Sequence, residues 1–412
     1  MSLDEMGLEM GGDWTAAGEA VFDEVVALRR AIHAEPEIGL HCPRTTDKIK
    51  AALAGLPLEY REGPSTTGLI AILRGHATRA GDNHRTVLLR GDMDALPLTE
   101  ETGLPFASTL AGAMHACGHD SHTAMLVGAA KALAARVEEL AGTIVFMFQP
   151  GEEGHHGARH MIDDGLLADP APDAAFALHV APNAPSGMVV TRAGSIMASA
   201  DKVNIVVRGA GGHAAMPHEC IDPIPIACEI VTALNVFVAR HIAVTDPAVL
   251  SITKIEAGSA HNIVPDAVTM LGTLRTLSEA TRTTMQAAVE RIATNIAAAH
   301  GATAEAWIDP GYPVTVNDPR GAALVQEVAT DLFGAGRFMK MPQPMMGAED
   351  FSYVLRAMPG AFAFIGAAPV GSDPATNPPL HNTRMTIDEA VMARGVAMHC
   401  AVAMRFLERG FD

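Results

Sequence analysis

The chain has 412 residues, more than one ordinary hydrophobic core can absorb, so two domains are expected. Hydrophobic residues make up 49%, yet there are only 3 Tyr and 2 Trp, so that core is mostly aliphatic. The balance of 29 basic against 47 acidic residues leaves a net charge of −18, which excludes nucleic acid and anionic membranes as expected partners.

Cys42, Cys117, Cys220, Cys228 and Cys400 are odd in number and scattered, which suits a reducing compartment better than a disulfide frame. The acidic start, Met1 to Trp14, lacks the apolar run of a signal peptide. No stretch is read as long enough to cross a bilayer, and a cytoplasmic location is expected.

In chain order, the apolar pattern predicts a helix over 17–34, strands over 69–74 and 86–90, and a long Ala/Leu helix over 123–140. Strands over 143–148 and 175–180 follow. Near-continuous apolar strands alternating with helices specify an α/β domain whose sheet is mostly parallel and covered on both faces. After Gly194 the rhythm changes. A strand over 202–208 leads to a helix over 221–239 behind Asp222-Pro223, then to strands over 248–256 and 267–276. A helix over 278–300, with Ser278 as N-cap and Gly301 as stop, precedes a last strand over 303–308. That β-α-β-β-α-β order is the ferredoxin-like arrangement. The remaining chain returns to α/β patterning and carries the apolar run 361–366 and then His381. The predicted organisation is a catalytic domain in two parts, residues 1–193 and 310–412, interrupted by a satellite domain over 194–309.

In open α/β sheets, ligands bind beyond the carboxyl ends of the strands. Asp92 and Asp94 follow the strand 86–90, Glu152 and Glu153 follow 143–148, and His179 follows 175–178. Cys117 and His119 stand just before a helical pattern. One such coincidence is cheap; three indicate a built site. A Cys, two or three His and a Glu form a mixed donor set compatible with zinc, manganese, cobalt or nickel. Two adjacent glutamates divide the labour of metal-assisted hydrolysis, since one can hold a metal while the other moves protons.

Several motifs in order extend this reading. They are Arg30-Ala31-Ile32-His33-Ala34-Glu35-Pro36-Glu37, Leu89-Arg90-Gly91-Asp92-Met93-Asp94-Ala95-Leu96-Pro97 and His115-Ala116-Cys117-Gly118-His119-Asp120. Gln149-Pro150-Gly151-Glu152-Glu153, Gly211-Gly212-His213-Ala214-Ala215-Met216-Pro217-His218, Met346-Gly347-Ala348-Glu349-Asp350-Phe351 and Pro379-Leu380-His381-Asn382 follow. Together the chain resembles the metal-dependent amidohydrolases that include hippurate hydrolases, N-acyl-amino-acid amidohydrolases and auxin-conjugate hydrolases.

The resemblance implies a two-metal catalytic domain with a ferredoxin-like satellite that dimerises, a tetramer being the larger assembly. It implies that Cys117 bridges two divalent ions, with Glu153 and His381 completing one site and His119 and His179 the other. Mn²⁺ or Zn²⁺ is expected, with Co²⁺ or Ni²⁺ as substitutes. Glu152 is then the general base toward a hydroxide shared by the ions, and Asp94 orients a ligand imidazole. His213, in cis or across a dimer, stabilises the oxyanion, while Asn262 and Arg275 recognise the substrate carboxylate. The substrate implied is an N-acyl or N-aroyl amino acid, cleaved to a carboxylic acid and a free amino acid.

The sequence departs from relatives at Gly39-Leu40-His41-Cys42 and at His155-His156. Asp92 lies where a related branch has a metal-binding His and is not assigned as a ligand here. His33, His115, His122, His155 and His156 are read as structural or surface residues, with a supporting role open to His122. Other readings are a dipeptidase, an N-acetyl-diaminopimelate deacetylase, a hydrolase using Cys117 as nucleophile, and a metal-binding protein without catalysis.

Overall fold

The computed structural model describes residues 13–77 and 84–412. The start of the chain read above for a leader therefore lies almost wholly outside the described residues. The chain forms two compact units: Met1–Gly194, Val316–Pro342 and Tyr353–Asp412 in the first, Ser195–Thr315 and Gln343–Ser352 in the second.

The first unit opens with helices α1 (Trp14–Ala20), α2 (Phe22–His33) and α3 (Pro43–Ala52), then strands β1 (Leu58–Glu62), β2 (Leu69–Arg74) and β3 (Arg85–Asp92). Helix α4 (His119–Ala134), β4 (Gly142–Gln149), α5 (Gly157–Asp163), β5 (Ala174–Ala181) and β6 (Val189–Thr191) follow. The second unit supplies β7 (Asp201–Arg208), α6 (Pro223–His241), β8 (Ala248–Ala257), β9 (Ala267–Thr276), α7 (Glu279–Ala299) and β10 (Thr303–Asp309). The chain returns to the first unit for α8 (Pro319–Phe333), β11 (Phe338–Lys340), β12 (Gly360–Gly366) and the C-terminal helix Val391–Arg409.

The eight-stranded sheet of the first unit has the order β1-β2-β4-β3-β5-β12-β6-β11. It is parallel from β4 through β3 and β5 to β12, and antiparallel where β1, β2 and β6 join. The middle strands are buried almost throughout and mostly apolar, the pattern of a sheet covered on both faces. Helix α4 is buried almost all round and packs against α2 and the C-terminal helix as well as the sheet. Its small residues permit that. A Cβ at Gly128 would stand 2.6 Å from Val25 Cγ2 and 2.8 Å from Val396 Cγ2, so only glycine allows this helix approach.

Two helices differ from the sequence pattern. The helix expected over 17–34 breaks at Val21, whose φ of −102° and ψ of 2° separate α1 from α2. The helix expected from residue 123 starts four residues earlier because Gly118, at φ +84°, turns the chain directly into it. It also ends sooner, at Ala134.

The second unit has the antiparallel sheet order β8-β9-β7-β10 with α6 and α7 packed on it. This is the β-α-β-β-α-β connectivity of a ferredoxin-like fold. Ser278 caps α7 by accepting the Thr281 amide, and Gly301 stops it at φ +75°. Unlike the expected 194–309 span, the unit runs to Thr315 and recruits Gln343–Ser352. That segment pairs back through the Ala198 amide to the Met345 and Gly347 carbonyls, and through the Met345 amide to Ile196.

The expectation that no segment suits a bilayer is corrected by α6, whose 19 residues are long and apolar enough by length and composition alone. In the fold, α6 turns Ile226, Ala227, Ile230 and Leu234 into the second unit's core.

Candidate metal centre

Within the first unit, the carboxyl ends of β3, β4 and β5 and the start of α4 converge. Gly118 is again decisive: a Cβ there would stand 2.4 Å from Val180 Cγ2, so glycine lets the Cys117–His119 turn close on the end of β5. Cys117 Sγ then lies 3.4 Å from His179 Nε2. His381, held at φ +65°, is tied beside the same turn by its amide, which donates to the Ala116 carbonyl at 2.8 Å. Its Nε2 is 3.2 Å from Glu153 Oε1, and His119 Nε2 is 3.9 Å from that oxygen.

Backbone and carboxylate groups orient these side chains. His119 Nδ1 donates to the Asp94 carbonyl at 2.9 Å and faces Asp94 Oδ1 at 3.4 Å, so its Nε2 points away into the cluster. His179 Nδ1 donates to the Val180 carbonyl at 2.7 Å, leaving its Nε2 beside Cys117. The Asp94 carboxylate also accepts the amides of Glu152 and Glu153, each at 3.0 Å, and so fixes the turn that presents both glutamates.

The electrostatics follow from burial and negative charge. Burial pushes the Cys117 thiol well above its ordinary range, and Glu153, Glu152 and Asp92 push it further. Burial opposes charge on His119, but Asp92, Asp94 and Glu153 overcome it and lift that imidazole to about 10. His179 is driven the other way, by burial and by neighbouring His122. Asp92 is buried, which alone would raise it, yet Arg90, His119 and His122 hold it well below the usual carboxylate range.

The donor set fits divalent metal. Cys117, His119 and His179 form one triad, and Cys117, Glu153 and His381 a second, with donor atoms within 4.8 Å of one another in each. His119 Nε2 is fully buried and has no hydrogen-bond partner among the described residues. Thiolate, imidazole and carboxylate together match the softness of zinc-like ions. A cation would also relieve the crowding of carboxylates that keeps Cys117 protonated.

Cys117, His119, Glu152, Glu153, His179, His381 and Asp94 are thus brought together in one unit. His213, Asn262 and Arg275 belong to the second unit. There, His213 pairs in register with Ile263, and the Ala214 amide donates to the Asn262 carbonyl at 3.1 Å. Both residues are exposed, while Arg275 is half-buried on β9, where its Nε donates to Thr273 Oγ1 at 3.2 Å.

Residues 88–405 match the model of Peptidase family M20/M25/M40. The chain belongs to this family. It is 37% identical over 388 residues to thermostable carboxypeptidase 1 of Saccharolobus solfataricus, covering 93% of this chain and 95% of that one. It is 36% identical over 391 residues to IAA-amino acid hydrolase ILR1-like 4 of Arabidopsis thaliana, covering 94% and 86%. Among solved structures, the YXEP protein of Bacillus subtilis, described as a dinuclear metal binding peptidase from the M20 family, superposes with a TM-score of 0.82. It is 33% identical, covering 95% of this chain and 99% of that one.

Two residues that the sequence did not assign as ligands also lie against His119, their donor atoms within 4.8 Å of one another. Asp92 and His122 are fully buried, and His122 Nδ1 donates to Asp92 Oδ1 at 2.6 Å. The helix expected from residue 123 left His119 and His122 outside it, so their one-turn spacing carried no signal until Gly118 placed both in α4. The two departures also meet in space: a Cβ at Gly39 would stand 3.3 Å from His155 Nε2, and one at Gly151 2.6 Å from Leu40 Cδ2.

Proposed function

We propose that this chain hydrolyses the amide bond of N-acyl or N-aroyl amino acids, adding water to give a carboxylic acid and a free amino acid. The observation that carries this reading is a pair of donor triads sharing Cys117, set beside a glutamate pair fixed by Asp94. Cys117, His119 and His179 would hold one divalent ion, and Cys117, Glu153 and His381 the other. Mn²⁺ or Zn²⁺ suits this set, and Co²⁺ or Ni²⁺ can substitute. Such ions supply Lewis acidity for a scissile carbonyl and lower the pKa of water.

The protein's own groups do the rest. Glu152 accepts a proton from the attacking water and delivers it to the leaving amine nitrogen. Asp94 holds Glu152 in place and orients His119. His213 steadies the negative charge on the carbonyl oxygen, and Asn262 and Arg275 receive the substrate carboxylate. We place the protein in the cytoplasm, as a homodimer formed through the ferredoxin-like unit. Exposed apolar side chains of this unit, among them Ile224 and Val236 on α6 and Val249 and Ile255 on β8, support its use as the contact.

The test is amino-acid release from N-benzoyl-glycine and a series of N-acetyl amino acids, after chelation and after separate return of each metal. Metal-rescued release supports the proposal, whereas inactivity of folded, metal-loaded protein on the whole series rejects it. The similarity to a thermostable carboxypeptidase favours a second reading, cleavage of a C-terminal residue from a peptide. Turnover of N-blocked dipeptides above N-acyl amino acids would select it.

A further inference from the structure

Strand β5 loses a neighbour before it ends. Its ladder with β3 stops at the pair Arg90–Ala177, while its ladder with β12 continues to Ala181. Beyond the stop, the buried Val180 amide needs another acceptor. It finds His122 Nε2 at 2.8 Å. Because that nitrogen accepts, the ring proton sits on Nδ1, which donates to Asp92 at the end of β3. The imidazole therefore fills the fork between the two strands with both nitrogens in use.

Val180 is also the residue that orients His179. Its carbonyl takes the His179 Nδ1 proton, and the His122 and His179 rings lie 4.4 Å apart. The Val180 backbone is thus held at its N–H by His122 and holds His179 at its C=O. Asp92 reaches the other side as well, since its Oδ2 lies 3.4 Å from His119 Nε2. One turn of α4 supplies both His119 and the support for His179.

We propose that His122 is a positioning residue. Anchored to Asp92, it takes the Val180 amide hydrogen and so fixes the backbone that aims His179 Nε2 at Cys117. This rests on the reading of His179 as a metal ligand, and the test separates the two.

The probe is Co²⁺ titrated into the chelated full-length chain, read by calorimetry and by the absorption of cobalt bound to thiolate. His122→Asn keeps a donor toward Asp92 but withdraws the acceptor from Val180. His122→Gln restores an acceptor near the position of Nε2. Supporting groups of this kind change metal affinity by about 10–100-fold, so His122→Asn should weaken one Co²⁺ equivalent by that factor and His122→Gln should recover most of it.

Equal affinities in wild type and His122→Asn, or equal losses in both variants, would overturn the inference. His179→Ala should lose one equivalent outright; if it keeps two, the ligand reading itself fails. A readout that needs no variant is hydrogen exchange. The Val180 amide should be protected as strongly as Val180's neighbours in β5, and rapid exchange would also overturn the inference.

Discussion

Cys117 Sγ and His179 Nε2 lie 3.4 Å apart although 62 positions separate the two residues along the chain. The contact joins the start of a helix to the end of a strand, and Gly118 makes it sterically possible. Cys117 is common to both donor triads, so its loss reaches both. Cys117→Ser replaces a thiol by a hydroxyl that ionises far less readily and is a harder, weaker partner for zinc-like ions. The expected outcome is loss of metal from both sites, read by elemental analysis of the dialysed protein. Two ions retained per chain would rule out a shared thiolate.

Glu152 sits in the same turn as Glu153 but outside both Cys117 triads. Glu152→Gln conserves its shape and removes only the proton acceptor. Turnover should fall by about 10²–10⁴-fold with metal content unchanged, the range for loss of a general base. A variant that purifies without metal would move Glu152 among the ligands.

Asp94 is a hinge of a different kind, since one carboxylate accepts the amides of both glutamates. Asp94→Ala leaves two N–H groups without that acceptor in a buried turn, a cost of about 1–3 kcal/mol for each group left unsatisfied. Urea unfolding should show the loss, and turnover should fall with it as the glutamates lose their alignment. Asp94→Asn, which keeps one acceptor oxygen, should fall between. Wild-type stability in Asp94→Ala would mean that the turn does not depend on the carboxylate.

His213 is exposed, and its ring Nδ1 accepts the Ala215 amide at 3.1 Å within its own turn. Surface substitutions of this kind shift stability by only about 0.5 kcal/mol. An oxyanion partner, by contrast, is worth about 10²–10³-fold in turnover. His213→Ala should therefore leave both metal content and thermal midpoint unchanged while turnover drops. Normal turnover would return His213 to a purely local role.

Much of this was legible in the sequence because it was local. Continuous apolar runs marked β4 and β5, and the adjacent Glu152 and Glu153 after a buried strand marked a rim. Ser278 and Gly301 announced both ends of α7. What stayed hidden was set by tertiary contact. His122 looks like any buried histidine until β3 and β5 are seen to part beside it, and nothing in its neighbours predicts an amide donor at its Nε2. The left-handed turn at Gly118, which moves His119 inside α4, depends on packing against Val180. Gln343–Ser352 carries no periodicity, so its pairing back to Ile196 and Ala198 has no pattern to betray it.

His33 is buried, which disfavours its charge, but the charge and hydrogen bond of Asp120, with Glu100 behind them, raise it from 6.5 to about 9. Its Nδ1 lies 2.8 Å from Asp120 and its Nε2 3.1 Å from Glu100. A folded value above the unfolded one means that the stabilisation is complete below about pH 6.5 and is lost as pH rises through about 9. At 1.36 kcal/mol per unit, the shift corresponds to roughly 3 kcal/mol. Buried Cys42 and Cys400, whose thiols are pushed up by burial, also lower stability above about pH 8.5, because the unfolded chain ionises them first. The comparison with His33→Gln removes that shared effect. Urea unfolding should place the variant well below wild type at pH 6 and bring the two together near pH 10. A constant gap across that interval would show that His33 contributes by packing alone.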